Sequence, residues 1–277
     1  MTVTIFTAAY NRIHTLPKLY ESIKHQTSND FEWIIVDDGS TDGTSEYINQ
    51  LLKNNALEDK KIKIVYFKQE NGGKHRAFNK GIELADSELF FSVDSDDTIS
   101  NDAVEKIIKY WNLYRDNKNI LGLCFRRGDP ETKQMLGSPF KKEVSFASPQ
   151  KINYLWGKTC DKAEIFRTEI IKNNKFPTID GEKFLSEAAW IFPIAKTPHK
   201  NMICLNEIIR YTKYYEDGLT RNWKEVMMKN PRGYIRYYKT LLTIPYSYLH
   251  PRFILGTIKQ LIKLKMQIQN ENKEIKG

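Results

Sequence analysis

Apolar runs alternate with amphipathic stretches through residues 1–100. Runs beginning at VTIFTAA (3–9), FEWIIV (31–36), KIKIVYF (61–67) and ELFFSV (88–93) have the length of buried strands. The segments between them place apolar residues at helical spacing, and a further helix is expected at about 101–114. Strands that alternate with helices predict an α/β fold with a doubly wound, mostly parallel sheet covered on both faces.

Beyond residue 120 the pattern is less regular. ILGLCFRRGD (120–129) predicts a strand, and KTCDKAEIFRTEII (158–171) predicts a strand followed by a helix. FLSEAAWIFPIA (184–195) predicts a helix, and residues 129–146 predict loops or a hairpin. NMICLNEIIRYTKYYEDGLT (201–220) predicts a strand pair or an extended segment.

A polar loop follows each of the four early strands. The loops contain YNR, DDGSTDGT, NGGK and DSDD, in that order along the chain. The carboxyl ends of parallel strands lie at one edge of an open sheet, where ligands bind. We therefore expect the four loops to share one rim and to form a single site.

The fourth loop carries three carboxylates, on Asp94, Asp96 and Asp97. Carboxylates on a tight turn can hold Mg²⁺ or Mn²⁺ while diphosphate oxygens complete the octahedron. We assign Asp94 and Asp96 to this role. The other interpretation is a solvated turn, and we expect Asp97 or Ser100 to cap the helix that follows.

The same loop can be compared with two other motifs. The order DSDDT (94–98) resembles the nucleophile motif of haloacid-dehalogenase-like phosphatases, which leaves a phosphatase using Asp94 as an alternative. Those proteins usually carry the motif on their first strand, and it would leave the other three loops unexplained. An EF-hand loop is disfavoured because Ile99 stands where that loop requires glycine.

The second loop offers acidic and hydroxyl side chains. Asp37 or Asp38 can accept a hydrogen bond from a base N–H or a ribose hydroxyl. Alternatively the loop is a solvated turn in which Ser40 or Thr41 caps the next helix, and the two interpretations are compatible.

The third loop combines glycines with basic residues. Gly72 and Gly73 allow a close approach of the backbone, and Lys74 and Arg76 can meet anionic oxygens. The alternative for either basic residue is a solvated helix face. No GxGxxG follows the first strand and no GxxxxGK[ST] occurs, so dinucleotide and P-loop motifs are not present.

The cysteines and the N-terminus indicate the compartment. Cys124, Cys160 and Cys204 are far apart and form no CxxC pair, which argues against a disulfide framework or a zinc ribbon. The chain opens directly into a predicted strand, so we expect no signal peptide. No apolar stretch is long enough to span a bilayer, and we expect a cytoplasmic protein.

The excess positive charge is confined to the end of the chain. Residues 221–277 contain 12 Lys and Arg and 3 Asp and Glu, which accounts for the whole net charge of +9. Within this basic extension, ILGTIKQLIKLKM (254–266) predicts an amphipathic helix that can lie on an anionic membrane. Alternatively the helix packs on the rest of the protein with a solvated basic face, or it binds nucleic acid.

Four motifs together resemble the inverting family 2 glycosyltransferases with a GT-A fold. They are TAAYN (7–11), VDDGSTDGT (36–44), ENGGKHRAFNKG (70–81) and SVDSDD (92–97), in matching order and spacing. Weaker similarity continues through GEKFLSEAAW (181–190) and YYEDGLT (214–220), the latter found in bacterial surface-polysaccharide enzymes.

The resemblance implies a UDP-sugar donor and Mn²⁺ or Mg²⁺ as cofactor. Asp94, Ser95 and Asp96 match the family's DxD motif, with Asp96 the stronger candidate for direct metal contact. The other donor-binding residues that it implies are Thr7, Ala9, Tyr10, Asn11, Asp37, Asp38, Asn71 and Lys74, and the chemistry of the third loop adds Arg76.

The resemblance also implies a general base on the acceptor side. The family usually has Glu-Asp there, whereas in this chain Glu182 is followed by Lys183 and Glu187 by Ala188. We assign the base to Glu187, with Glu182 as the second candidate. The missing Glu-Asp pair also leaves a catalytically silent nucleotide-binding or scaffold protein as an alternative.

The resemblance and the charge distribution together suggest how the chain is organised. Residues 1–220 would form the glycosyltransferase domain, with donor half 1–100 and acceptor half 101–220, and 221–277 the basic helical extension. Many related enzymes use lipid-linked acceptors, so we expect a glycan or lipid-linked acceptor, contact with the inner face of the plasma membrane, and no nucleic acid partner.

Overall fold

The computed structural model describes residues 1–54, 56–156, 162–196, 200–213, 222–245 and 250–274. Its central sheet begins with four parallel strands in the order β3-β2-β1-β4. These are β1 (Val3–Ala9), β2 (Phe31–Asp37), β3 (Lys63–Lys68) and β4 (Leu89–Ser92). The four strands predicted from the apolar runs are confirmed, and their carboxyl ends lie at one edge.

The second half of the sheet is mixed. Strand β8 (Ala163–Arg167) runs antiparallel between β4 and β6 (Ile120–Gly128), and β9 (Asn201–Tyr211) lies parallel to β6. The other edge of β9 pairs with β5 (Thr98–Ile99) and β7 (Val144–Ala147). The segment from residue 201 is thus one long strand as far as residue 211. The motif YYEDGLT and Cys160 lie outside the described residues.

Helices connect the strands and cover the sheet. They are α1 (Leu16–Lys24), α2 (Thr44–Lys53), α3 (Lys74–Leu84), α4 (Ala103–Tyr114), α5 (Pro149–Lys151) with a following π-helical turn (Ile152–Trp156), α6 (Thr168–Lys172), α7 (Ala188–Ile194), α8 (Trp223–Lys229), α9 (Pro231–Leu241) and α10 (Pro251–Glu274). None of these described helices is apolar enough over a sufficient length to cross a bilayer.

The strand residues alternate between two cores. In β1, Val3 and Ile5 pack with α1, α2 and α4 on one face, while Phe6 packs on the other face with α3, α7 and α9. In β2, Trp33 and Ile34 divide in the same way. This period of two is what a sheet covered on both faces requires, and it confirms the doubly wound arrangement.

Three helix starts differ from the sequence-based expectation. Helix α2 is preceded by Gly43 rather than by Ser40 or Thr41, so neither of these caps it. The residue before α4 is Asp102, so the prediction that Asp97 or Ser100 caps this helix is wrong. Helix α7 begins only after Glu187, which leaves residues 182–187 without regular secondary structure.

The C-terminal helices differ in how deeply they pack. Tyr234, Tyr238 and Leu241 of α9 are buried in the core beside α7. Helix α10 packs on α9 through buried Thr257 and Leu264, while most of its other side chains are exposed. Helix α9 is therefore part of the core, and the surface helix of the basic extension is α10.

Candidate active site

Asn11 joins the loops that follow β1 and β2. Its backbone N–H donates to the Ser40 hydroxyl (3.0 Å), and its side-chain oxygen accepts from the Thr41 N–H (2.9 Å). Asn11 has φ 53°, in the left-handed region that asparagine tolerates better than most residues. The turn leaves the neighbouring Tyr10 exposed at the rim.

Asp37 is a buried carboxylate at the end of β2. It accepts hydrogen bonds from the Ser40 N–H (2.7 Å) and from the hydroxyl groups of Ser45 and Tyr66. Burial alone would raise the pKa of Asp37, but these donors lower it. In this setting the carboxylate organises the second loop, and its contact with a base or ribose stays a prediction.

Asp38 holds the third loop in place. Its carboxylate accepts from the Gln69 side chain (2.7 Å) and from the backbone N–H groups of Gly72 (2.9 Å) and Gly73 (2.8 Å). The Asn71 amide donates to the Asp38 carbonyl (2.9 Å). Asp38 is thus fully engaged by its own chain, and its direct contact with a nucleoside also stays a prediction.

The close backbone approach predicted for the glycines is made to the chain itself. Gly73 has φ +94°, and a Cβ added there would lie 2.0 Å from the Lys183 carbonyl oxygen. A Cβ on Gly72 would lie 2.5 Å from the side chain of Arg76. Lys183 also donates from Nζ to the Asn71 side-chain oxygen (2.7 Å), so the segment around residue 183 rests on the third loop.

Lys74 lies between two carboxylates. Its Nζ is 2.7 Å from Asp94 Oδ1 and 3.4 Å from Glu187 Oε1. Burial opposes protonation, but Asp94 and Glu187 together raise the pKa of Lys74 above its usual value. The side chain is still 40% exposed. One ammonium group therefore connects the predicted metal turn with the predicted base.

Arg210, in β9, fixes the acidic turn from the other side. Its guanidinium is paired with both Asp94 and Asp97, and it donates to the Ser92 carbonyl (3.0 Å). Asp97 also accepts from the Thr212 hydroxyl (3.0 Å) and is 3% exposed. Asp97 is thus an internal ion-pair partner, which explains why it does not cap α4.

The two carboxylates that share Arg210 have opposite pKa shifts. Burial would raise the pKa of Asp94, but Lys74 and Arg210 hold it well below its usual range. Burial raises the pKa of Asp97, and the charges of Asp94 and Asp96 add to this against the effect of Arg210. The more acidic carboxylate is the one that also reaches Lys74 at the rim.

Asp96 is partly exposed and makes no ion pair or hydrogen bond with the described part of the chain. Within those residues, no group of three or more His, Cys, Asp or Glu side chains could enclose a metal ion. Mg²⁺ needs no such group when phosphates supply oxygens, because one or two carboxylates then suffice. An uncommitted Asp96 next to Asp94 fits that arrangement.

Three further predicted donor residues are buried. Thr7 accepts a hydrogen bond from the Trp33 indole N–H (3.1 Å), and the Ala9 carbonyl accepts from the Asp38 N–H (2.8 Å). Ser95 is buried within the acidic turn. Their contacts with a nucleotide remain predictions, and for Thr7 the hydroxyl already has a partner in the core.

The two candidate bases lie in different surroundings. Glu187 stands directly before α7 with its side chain 58% exposed and Lys74 as its nearest cation. Glu182 is 5% exposed, and its two oxygens accept from the backbone N–H groups of Arg232 (2.7 Å) and Gly233 (2.6 Å). Glu182 is therefore engaged by the start of α9, whereas Glu187 faces accessible space.

The sequence profile described as Glycosyl transferase family 2 matches residues 4–173, more than half of the chain. The chain belongs to this family. This glycosyltransferase is 26% identical over 211 residues to an uncharacterized glycosyltransferase of Haemophilus influenzae, a match covering 71% of the chain and 62% of the relative. The chain spans less than two thirds of the length of the first curated relatives that it matches.

Two solved structures share the fold of this glycosyltransferase. Staphylococcus aureus TarS in complex with UDP-GlcNAc has a TM-score of 0.62 and 18% identity, over 95% of this chain and 71% of that one. A mannosyltransferase from Pyrobaculum calidifontis, solved with GDP-Man and Mn²⁺, has a TM-score of 0.58 and 14% identity, over 98% and 75%. The expected GT-A fold is confirmed.

The motif analysis misses two residues of this glycosyltransferase's site. Arg210 stands in the apolar strand segment CLNEIIRY, where a buried charge requires an acidic partner, so the sequence does contain a signal for it. Lys183 has no such signal, because a lysine in a polar stretch is usually a solvated side chain.

Proposed function

We propose that this protein transfers a sugar from a UDP-sugar to a hydroxyl group of a glycan or lipid-linked acceptor, with inversion at the anomeric carbon. The observation that carries the proposal is the position of Lys74 between Asp94 and Glu187. The Lys74 ammonium, a cation suited to the diphosphate, thus lies next to both the proposed metal turn and the proposed base. The TarS structure with UDP-GlcNAc supports a uridine nucleotide. A role in bacterial surface polysaccharide synthesis is also proposed, and the similarity to the chondroitin synthase of Pasteurella multocida supports it.

Glu187 is the proposed general base. An inverting transfer needs a base at the acceptor hydroxyl, opposite the departing diphosphate. Glu187 takes the hydroxyl proton as the oxygen attacks the anomeric carbon, and the bond from that carbon to UDP breaks with its electron pair leaving on UDP. Both oxygens of Glu182 already accept hydrogen bonds, which argues against it as the base.

Lys74, and a metal ion held by Asp96, are proposed to neutralise the charge of the diphosphate. The Lys74 ammonium is exposed enough to exchange a carboxylate partner for phosphate oxygens. Asp96, with Asp94, is the proposed holder of Mn²⁺ or Mg²⁺, an ion that supplies charge stabilisation to the leaving group when bound. Asp94 is already paired with Lys74 and Arg210, which favours Asp96 for direct contact.

The nucleoside is proposed to lie against the first three loops. The exposed ring of Tyr10 offers a stacking face, and the backbone around Ala9 and Asn11 lines the same edge. Asp37 and Asp38 hold the second and third loops in place by accepting hydrogen bonds from their backbone N–H groups. The remaining proposed donor contacts are Thr7, Asn71, Arg76 and Ser95.

UDP release from a panel of UDP-sugars, with Mn²⁺ or Mg²⁺ and with or without acceptors, tests the proposal. We expect release to need the metal and to rise with a suitable acceptor. Asp96→Asn should lower turnover roughly 100-fold or more, because the ion contributes several kcal/mol to leaving-group stabilisation. Asp86→Asn, an exposed carboxylate before β4 at the opposite end of the sheet, serves as the matched control.

Each alternative has its own result in this assay. Wild-type turnover by Asp96→Asn would contradict the metal assignment. Phosphate release from simple phosphoesters, with a covalent phosphate on Asp94, would favour the phosphatase. UDP binding with neither transfer nor donor hydrolysis would favour the silent binding protein.

We also propose that α10 lies on the anionic inner face of the plasma membrane. Its exposed apolar side chains are Phe253, Leu255, Ile258, Ile262 and Met266. Four basic residues and no acidic residue occur between positions 251 and 270. A second copy of this helix would meet like charge, whereas anionic headgroups complement it, and the apolar side chains can enter the interface.

A further inference from the structure

The segment 182–187, which ends at the proposed base, is attached to the start of α9. Glu182 Oε1 accepts from the Arg232 N–H at 2.7 Å, and Oε2 accepts from the Gly233 N–H at 2.6 Å. These N–H groups belong to the first turn of α9, where a helix leaves its backbone donors without internal partners. A buried carboxylate at this end also interacts favourably with the helix dipole.

Asn230 fixes the two residues that follow Glu182. Its side-chain oxygen accepts from the N–H groups of Lys183 (2.9 Å) and Phe184 (3.0 Å), and its amide donates to the Val226 carbonyl (2.8 Å). Asn230 is 7% exposed. Three successive residues of the segment are therefore bonded to the helix start.

Close packing reinforces these hydrogen bonds. A Cβ on Gly233 would lie 2.6 Å from the Phe184 carbonyl oxygen, so only glycine allows this approach. The Phe184 ring stacks on Tyr234 with centroids 5.6 Å apart. Helix α9 also packs on α7, which begins directly after Glu187.

The other side of the segment contacts the donor loops. Gly73 lies against the Lys183 carbonyl, and Lys183 Nζ donates to Asn71 at 2.7 Å. The donor loops themselves are held by Asp37 and Asp38 without help from α9. The position of the segment relative to the donor site therefore depends on α9.

We propose that Glu182 is a positioning residue for the transfer reaction, acting through α9 to set where the Glu187 carboxylate stands. The inference rests on the proposed function, in which Glu187 is the base. Glu182 itself touches no reacting atom. Loss of its carboxylate leaves the donor loops bonded as they are but removes one attachment of the segment that carries Glu187, next to those through Asn230 and Phe184. A misplacement of about 1 Å can cost on the order of 100-fold in rate.

Glu182→Gln is the central test in the full-length protein, because glutamine fills the same space but turns an N–H toward one of the two backbone donors. We expect kcat to fall roughly 10- to 100-fold. The KM for the UDP-sugar and the affinity for UDP should stay within about twofold, since the lost interaction matters in the transition state rather than in donor binding.

Glu32→Gln is the matched control. Glu32 is 1% exposed, and it accepts from the Thr4 hydroxyl (2.8 Å) and the Asp86 N–H (3.2 Å) near the start of β2, away from the rim. Both donors use Oε1, so glutamine can keep these bonds and loses the ion pair from Oε2 to Lys63 (3.7 Å). This buried Glu→Gln change away from the rim should keep its kcat. A melting curve for each variant measures what each change costs in stability.

A second pair of variants separates positioning from folding. Asn230→Asp keeps the oxygen that accepts from Lys183 and Phe184, while Asn230→Ala removes it. We expect the Asp variant to retain most of the rate and the Ala variant to fall as Glu182→Gln does. All rates are expressed per UDP-binding site, because a purely structural role would reduce the number of sites and leave the rate per site unchanged.

The outcomes are distinguishable from failure of the proposed function. Normal rates per site for Glu182→Gln and Asn230→Ala, or a loss of UDP affinity as large as the loss of kcat, would overturn the positioning role. Glu187→Gln is measured alongside. If it transfers at the wild-type rate, the base assignment itself is wrong. If it is slow while Glu182→Gln is normal, only the positioning role is wrong.

Discussion

Carboxylates on the rim fall into two groups by their partners. Asp37, Asp38 and Asp97 are buried and accept hydrogen bonds or ion pairs from their own chain. Asp96 and Glu187 face accessible space. Since an engaged carboxylate has little capacity left for a ligand, the first group builds the frame and the second is where chemistry is expected.

Arg210→Lys tests the frame at the residue scale. A lysine keeps the charge but lacks the fork that holds Asp94 and Asp97 together, so the acidic turn should loosen. We expect the Mn²⁺ concentration for half-maximal activity to rise roughly 10-fold or more, as for other partners that orient metal ligands. Activity measured across a Mn²⁺ titration gives this value.

Arg167→Lys is the control for that experiment. Arg167 also donates to several carbonyls, including those of Ile120 (2.8 Å) and Asn117 (3.0 Å), but it pairs with Leu89 at the start of β4, at the opposite end from the rim. It should lose stability without a change in metal requirement. An equal shift in both variants would mean that Arg210 has no particular link to the metal turn.

Residue-scale partners were the least predictable part of the site. The sequence identifies Asp97 as a polar residue before a helix, which is typical of a cap, but its partner Arg210 is 113 positions away. Glu182 has the same difficulty, because its donors come 50 and 51 positions later. Local pattern carries no information on which distant strand or helix will lie opposite a side chain.

Among the elements, the loop from β3 to α3 is the most constrained. Gly73 combines a positive φ with direct contact against the Lys183 backbone, whereas Gly181 has φ +78° and open space around it. Close contact is therefore a cost of substitution at Gly73 and not at Gly181.

Gly73→Ala should destabilise the protein more than Gly181→Ala. The positive φ costs Gly181→Ala about 1 kcal/mol. Gly73, with φ 94° and ψ 155°, has a conformation that essentially only glycine adopts, and a backbone segment must also move there. Gly256→Ala, inside α10 with no neighbour within 4 Å, should instead be neutral or stabilising by about 0.5–1 kcal/mol. Urea unfolding measures the three differences, and equal losses at residues 73 and 181 would contradict the contact.

Elements were easier to predict than their partners. Apolar runs locate β1, β2 and β4 because a strand covered on both faces must be largely apolar, and β6 follows the same rule. The edge strand β3 has an apolar centre but no fully buried residue. The helix starts were misplaced because capping depends on how the chain enters the helix. Gly43, with φ +95°, shows that α2 is entered through a turn that Ser40 does not specify.

On the scale of the whole molecule, composition locates the basic extension but not its internal division. Helices α9 and α10 both mix basic with apolar residues, yet Tyr234 and Tyr238 of α9 are buried while Ile262 of α10 is 54% exposed. Basic residues occur on a buried helix as well as on a surface helix, because their long side chains can extend until the charged group reaches water. The domain boundaries at residues 100 and 220 stay predictions.

Truncation should reveal this division. A chain that ends at Pro245 keeps α9, so it should fold and transfer sugar to soluble acceptors. It should no longer float with vesicles containing phosphatidylglycerol, because the helix proposed to enter the interface is gone. A chain that ends at Asn230 loses the partners of Glu182 and part of the core, and it should not fold.

The flotation has two controls. Vesicles of phosphatidylcholine alone should recover less full-length protein, since the basic residues of α10 then lack anionic partners. Ile258→Ser with Ile262→Ser should weaken recovery while leaving the catalytic core unchanged, because both side chains are exposed. Equal flotation of the full chain and the chain ending at Pro245 would refute the membrane proposal, and retention on duplex DNA instead would favour nucleic acid.

The attachment of segment 182–187 to α9 also limits how this enzyme can be recombined. An engineer who moves the acceptor-side segment into a related scaffold transfers a loop whose anchoring atoms lie at Asn230, Arg232 and Gly233. Without these atoms the Glu182 carboxylate of the transferred segment has no hydrogen-bond donors. The smallest unit that can be exchanged with its contacts intact therefore comprises two stretches of sequence, the segment and the helix, moved together.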